Sequence, residues 1–330
     1  MKKILDSLEG GSAKRQKKTK FTVTLIYATI ILIVCLLAVL LITTIVAKVK
    51  ENNTGDTEGD GGGANAGYTA LNVDTTDIHS GNLLLVNKNT EYIFENKNAA
   101  VVSFPTTNRI YGLKNSSLKV NPTALSAFNE MMTALYTAVP DANIVVMTAY
   151  RSADEQTALG TSTAAGYSDF HTGMLLELKD GDTWAGIDDS SLNGKYDWIY
   201  ENAHKYGFVA RYPADIAASD TGNNAGKSYS SITGVEDFAY AFRYVGIAHA
   251  TYMYQNELCL EEYLELIRTS HAYGSALTIK GGDGKSYEVY YFASAGETTE
   301  IMVPSKYSYE ISGDNMNGYI VTVNKSKTVK

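Results

Sequence analysis

The run Phe21–Ala47 (FTVTLIYATIILIVCLLAVLLITTIVA) constrains this chain more than any other feature, because it contains no charged residue. As a helix it is about 40 Å long, enough to cross a hydrocarbon core of about 30 Å with some tilt. A cleaved secretory leader is the competing reading, since basic residues precede the apolar ones. The run is longer than the core of such a leader, however, and no A-x-A site follows it. A retained transmembrane helix is expected at 21–47. Lys14, Arg15, Lys17, Lys18 and Lys20 lie just before it, whereas Lys48 and Lys50 after it are soon joined by Glu51, Asp56, Glu58 and Asp60. Basic flanks stay on the cytoplasmic side. The expected arrangement is a single pass through the cell membrane, with residues 1–20 as a basic cytoplasmic tail and the C-terminal domain extracellular.

The formal net charge of −8 is unevenly spread. Residues 1–50 hold nine Lys and Arg against Asp6 and Glu9, while the other 280 residues hold 19 bases against 34 acids. So acidic a body is a poor match for nucleic acid, and no nucleic-acid partner is expected. Cys35 and Cys259 are too few for a disulfide framework or a thiolate zinc site. Residues 48–77 read as a flexible linker, Gly-, Asn- and acid-rich without periodicity over 51–67.

Beyond the linker, Leu83–Asn87 (LLLVN) reads as a short buried strand. Asn121-Pro122 supplies an N-cap and a first-turn proline for a helix ending near Ala138. Leu125, Phe128, Met131, Met132 and Leu135 form its apolar stripe. Strands are expected at Ile144–Thr148, Met174–Leu178, Phe208–Arg211 and Arg243–Val245. Helices are expected at Ala153–Leu159, Tyr196–Tyr206 (stopped by Gly207), Ile247–Asn256 and Leu260–Thr269. From Ala276 the chain turns to short β runs: Tyr287–Ala293, Glu300–Val303, Tyr307–Ile311 and Tyr319–Val323. The fold class is α+β, with a body at 78–274 and a β-rich C-terminal extension at 275–330.

Several segments of that body, taken together, resemble the VanY-type D-alanyl-D-alanine carboxypeptidases, zinc peptidases that trim peptidoglycan stem peptides. They are LLLVNK at Leu83–Lys88, TAYRSADEQ at Thr148–Gln156, SDFHTG at Ser168–Gly173, the run Trp198–Pro213, FRYVG at Phe242–Gly246 and LCLEEYL at Leu258–Leu264. They keep the family's order and cover roughly 83–266. The resemblance implies the family's compact α+β zinc-peptidase fold. It also implies substrate-binding roles for Arg151, which matches the arginine that stabilises a developing oxyanion, for Gln156 in the same cleft, and for Ser168, which helps hold the terminal D-alanine. For Arg151 the plainer reading is a surface arginine paired with Asp154 or Glu155.

The family carries zinc on a His and an Asp in the pattern S-x-H-x-x-G-x-x-x-D. A second His stands just before the FRYVG-like strand, and a catalytic Glu lies three residues before that His. Three such ligands leave a zinc position open for water, and the Glu moves the proton. Here the ligand positions are Phe170, Glu177 and Ala241, and the general-base position is Phe238. Of these, only Glu177 is chemically capable. A register shift by one would offer His171, but neighbouring strand residues point to opposite faces; His171 reads as a packed or partly exposed strand histidine.

The expected function is that of a membrane-anchored, extracytoplasmic VanY-like protein of the cell wall. It would be a pseudopeptidase without zinc that binds a stem peptide or a cell-wall protein. The alternative is an active D,D- or L,D-carboxypeptidase with zinc in a rearranged site around His171, Glu177 and Glu236.

Overall fold

The computed structural model describes residues 67–94, 100–107, 109–220, 224–236 and 238–329. The apolar run Phe21–Ala47, the basic tail and the Gly-rich part of the linker lie outside the described residues. Among the described residues, no helix is long and apolar enough to cross a membrane.

In chain order the body contains strands β1 (Tyr68–Asp74), β2 (Val102–Ser103), β3 (Gly112–Leu113), β4 (Lys119–Val120), β5 (Ile144–Thr148), β6 (Leu175–Asp180), β7 (Phe208–Ala210) and β8 (Ala241–Tyr244). Its helices are α1 (Pro122–Ala138), α2 (Ala153–Ala158), α3 (Asp197–Asn202), α4 (Tyr229–Thr233), α5 (Ile247–Gln255) and α6 (Leu260–Ser270). Strands β9 (Leu277–Lys280), β10 (Ser286–Ala293), β11 (Thr298–Pro304), β12 (Tyr307–Gly313) and β13 (Gly318–Thr328) follow.

The central sheet has the order β3-β5-β6-β8-β7. Its β3–β5 pair is parallel and the rest are antiparallel. Because side chains alternate along a strand, β6 sorts its residues between two faces. Leu176 and Leu178 enter the main core with Phe128, Met131, Met132 and Leu135 of α1. Leu175 and Glu177 turn the other way, toward a smaller cluster of Phe170, Tyr212 and Ala241. The α1 helix starts where expected, with the Asn121 carboxamide accepting from Thr123 N and Ala124 N. The helix expected over Tyr196–Tyr206 is divided into α3 and a 3-10 turn, Ala203–Tyr206. Gly207 ends it at φ 84, a left-handed backbone that glycine adopts without strain.

Three expectations are corrected. Leu83–Val86 is buried but is not a ladder strand. The Arg243 guanidinium donates to the carbonyls of Asn82 and Leu84, and Arg211 donates to that of Val86. Leu85 N donates to the Asp314 carbonyl, and the Leu85 carbonyl accepts from Asn315 Nδ2. Side chains and a turn therefore satisfy the backbone that a neighbouring strand would otherwise pair.

Second, the stretch assigned to the linker up to residue 77 contains β1, which pairs antiparallel with β11 from Tyr68↔Pro304 to Asp74↔Thr298. Among the described residues its ladder partner lies near the other end of the chain. Third, the C-terminal β region is not an appendage. Its sheet, β12-β13-β10-β9, shares one apolar core with the body. Val289, Tyr291 and Ile320 pack with Leu83, Leu85, Tyr263 and Leu264. Buried His249 of α5 hydrogen-bonds Tyr263 Oη at 2.7 Å and Thr322 Oγ1 of β13 at 2.9 Å.

Candidate functional site

Glu177 of β6, on the face turned away from α1, lies in the floor of a cleft of about 600 Å³. Arg151, Gln156, Ser168, Phe170, Glu177 and Phe238 all line it, together with Lys88, Tyr167, Tyr212 and Val235. Six of the seven residues singled out from the sequence therefore meet in one place. Ala241, the seventh, is fully buried in the cluster that includes Phe170 and Tyr212, with Phe238 packed against it. In the β6–β8 register Ala241 stands directly opposite Glu177, and Thr148 of β5 stands opposite Glu177 on the other side.

Arg151 follows β5 and precedes the capped helix α2, so its backbone is held at both ends. Its Nη1 donates to Gln156 Oε1 at 2.7 Å, and its guanidinium carbon lies 4.6 Å from the centre of the Phe170 ring. Gln156 is 2% exposed and is itself fixed by donating to the Thr163 carbonyl. Neither Asp154 nor Glu155 pairs with Arg151: Glu155 instead closes the capping box of α2 with Ser152. Burial lowers the Arg151 pKa from its ordinary value, and the nearby Glu177 charge opposes that shift. The Ser168 hydroxyl has no hydrogen-bond partner among the described residues and lines the cleft.

The zinc and general-base positions are lined with hydrocarbon. Phe238 stacks on Tyr212, ring centres 5.7 Å apart and planes 8° from parallel, and tilts against Phe170 at 6.1 Å. Among the described residues Glu177 is the single carboxylate in the lining, with Oε2 accepting from Thr148 Oγ1 at 2.7 Å. Among the described residues, no group of three or more His, Cys, Asp or Glu is placed to hold a metal ion. Two phenyl rings, a methyl group and one carboxylate do not fit a zinc centre, which needs three lone-pair donors.

His171 differs from its expected setting. It lies in a 3-10 turn, Asp169–Thr172, rather than a strand, and is fully buried. Gly166 N donates to its Nε2, so Nδ1 carries the proton and donates to the Arg151 carbonyl at 2.6 Å. Burial lowers its pKa, with the Arg151 carbonyl opposing, which keeps the ring neutral. Both ring nitrogens are thereby committed to backbone groups that shape the cleft rim.

Beneath the floor sits a charged cluster that the sequence reading missed. Asp169 accepts from Arg211 Nε at 2.6 Å and from Arg243 Nη1, and all three are at most 1% exposed. Arg211 also forks onto Glu261 at 2.8 and 2.9 Å, and Asn87 Nδ2 donates to that same carboxylate. Burial works against the Arg211 charge, but Glu261, Tyr212 and Asp169 outweigh it and raise its pKa. The signal available in the sequence was a charged residue inside each of three apolar motifs: SDFHTG, FVARY and FRYVG.

The body is thus an α+β sheet with a cleft walled by segments from Lys88, Arg151, Ser168 and Val235. Residues 117–225 match the VanY family, described as D-alanyl-D-alanine carboxypeptidase. A D-alanyl-D-alanine carboxypeptidase of Enterococcus faecium is 31% identical over 256 residues, covering 74% of this chain and 76% of that protein. Another, from Enterococcus faecalis strain V583, is 35% identical over 116 residues, covering 35% of this chain and 37% of that protein. The crystal structure of the vancomycin-resistance D,D-dipeptidase VanXYg with a D-Ala-D-Ala phosphinate analogue has the same fold. It superposes with a TM-score of 0.64 at 24% identity, over 78% of this chain and 99% of that chain. The chain belongs to the VanY family.

Proposed function

We propose that this chain is a membrane-anchored, extracytoplasmic VanY-like pseudopeptidase that binds the C-terminal end of peptidoglycan stem peptides without cleaving them. The observation that supports this reading is the division within one cleft. Arg151, steadied by Gln156 and Phe170, keeps a planar fork of donors suited to a carboxylate. Phe170, Phe238 and Ala241 replace the groups that would hold a metal or move a proton. Such a site can recognise a peptide end but lacks the three-ligand metal and paired general base on which the family's cleavage depends. Anchoring through Phe21–Ala47, with the N-terminus cytoplasmic, would keep the cleft facing the wall. A cell-wall protein with an exposed C-terminal carboxylate is a second partner of the same chemistry.

An active carboxypeptidase rearranged around His171, Glu177 and Glu236 has less support. The lone pair of His171 is already engaged by Gly166 N, and Glu236 is exposed and does not line the cleft. The test uses the purified full-length chain with added zinc and a pentapeptide ending in D-alanyl-D-alanine. Saturable binding with no released D-alanine and no stoichiometric zinc is expected. Chelator-sensitive release of D-alanine would establish the alternative.

A further inference from the structure

Arg151 and Glu177 line the same cleft and carry opposite charges, yet neither has an ion-pair partner within 4.0 Å among the described residues. They do not contact each other, so the space between them separates two complementary charges. Glu177 Oε2 accepts from the Thr148 hydroxyl, and no donor among the described residues meets Oε1. Glu177 is half-buried and opens onto the cleft, so its carboxylate is available to a ligand there. The neighbouring Phe170 and Phe238 rings add π faces that attract a cation and repel a second anion. Among the described residues lining the cleft, Lys88 and Arg151 are the cations and Glu177 the anion, so a ligand with both charges is matched better than a plain anion.

We propose that Glu177 binds an ammonium group, so that the cleft selects a zwitterion: a free amino acid or short peptide whose carboxylate meets Arg151 and whose α-ammonium meets Glu177. This rests on the reading of the cleft as a site for peptide C-termini, and adds that a peptide end bearing a free α-amine binds there more tightly than an acylated one. A primary ammonium brings three donors and one positive charge to a position with one carboxylate. It therefore needs only the single acid that remains there, where a zinc ion would need more. The hydrocarbon at Phe170, Phe238 and Ala241 lowers the local dielectric and strengthens that charge-assisted bond.

The test is calorimetric titration of the full-length chain in detergent with D-alanyl-D-alanine, its N-acetyl derivative and its C-terminal amide. The free dipeptide is expected to bind about tenfold more tightly than the N-acetyl form, the loss of one charge-assisted contact. The amide should bind more weakly than the free dipeptide by a similar factor. Glu177→Gln should equalise the free and N-acetyl forms, and Glu177→Asp should keep the preference in part. N-acetyl binding as tight as the free form, or a preference that survives Glu177→Gln, overturns the ammonium site and leaves the peptide-end reading standing. Absence of binding by all three ligands overturns both.

Discussion

The guanidinium carbon of Arg151 lies 4.6 Å from the centre of the Phe170 ring, so the residue that the resemblance places at the family's first metal position also packs against the arginine proposed to bind a carboxylate. Phe170 offers no lone pair to a metal, yet it forms part of the cleft lining. Because Gln156 holds Nη1 from the other side, Arg151 is fixed before any ligand arrives. Pre-ordering of this kind lowers the entropy lost on binding.

Arg151→Ala is therefore expected to weaken binding of a D-alanyl-D-alanine-ended peptide by roughly tenfold to a hundredfold, the worth of hydrogen bonds to a charged group. Arg151→Lys should recover little of this, since an ammonium cannot present a planar fork. Thermal unfolding should change little for either variant. Calorimetry beside a melting curve checks both; a variant that binds normally would remove Arg151 from the site.

The metal site supplies a gain-of-function test. Phe170→His, Glu177→Asp, Phe238→Glu and Ala241→His together would restore the donor set that the resemblance implies. Wild-type chain grown with zinc should hold none in stoichiometric amount. The quadruple variant should hold about one ion per chain, the load of a three-ligand site. Stoichiometric metal in the wild type would show that its donors lie elsewhere.

Asp169 lies between Arg211 and Arg243, all three buried. Asp169→Ala leaves two guanidinium groups facing each other without their shared anion. The expected cost is about 3–5 kcal/mol, the range for breaking one member of a buried ionic cluster. The carbonyls of Asn82, Leu84 and Val86 would lose well-placed donors with it. Denaturant unfolding measures the change, and a loss within experimental scatter would mean that the cluster reorganises.

The apolar and capping signals made much of this architecture legible in the sequence. Asn121 and the stripe from Leu125 to Leu135 define α1, and the cleft residues were found through their motifs. The misses share a cause: each depends on a partner distant in sequence. Tyr68–Asp74 is a strand only because Thr298–Pro304 pairs with it. Leu83–Val86 resembles a strand in composition, but the groups that satisfy its backbone are Arg211, Arg243, Asp314 and Asn315. His171 follows two residues after Asp169, and the tight 3-10 turn that buries both is set by the arginines below.

Acid should loosen the join between helices and C-terminal sheet. Burial lowers the His249 pKa to about 3 while its ring bridges Tyr263 and Thr322. The unfolded chain takes up that proton near pH 6.5, an ordinary value for histidine. Between about pH 6.5 and 3 the unfolded state therefore binds more protons, and stability falls as pH drops. The full contribution of one such group is about 1.4 kcal/mol per pH unit. His171 and His204 are shifted in the same direction, chiefly by burial. Unfolding of His249→Gln measured across this range should show a shallower slope than wild type; an unchanged slope would assign the acid sensitivity elsewhere.

The turn between β12 and β13 couples the C-terminal sheet to the cleft. Asn315 Nδ2 donates to the carbonyls of Leu85 at 2.7 Å and Glu91 at 2.9 Å, and its Oδ1 meets His79 Nδ1 at 2.8 Å. Its φ of 62 is a left-handed conformation that asparagine tolerates and alanine does not. Asn87 and Lys88, immediately after the anchored segment, line the cleft. Asn315→Ala should cost about 2–4 kcal/mol, combining lost hydrogen bonds with backbone strain. Asn315→Gly loses the same bonds without the strain, so the difference between the two isolates the backbone contribution. Both should weaken peptide binding, because the segment carrying Asn87 and Lys88 loses its anchor. Removing residues 276–330 should go further and leave no folded body, since Leu83, Leu85, Tyr263 and Leu264 would lose the apolar partners Val289, Tyr291 and Ile320. A soluble, cooperatively unfolding truncation that still bound peptide would show instead that the sheet is dispensable to the cleft.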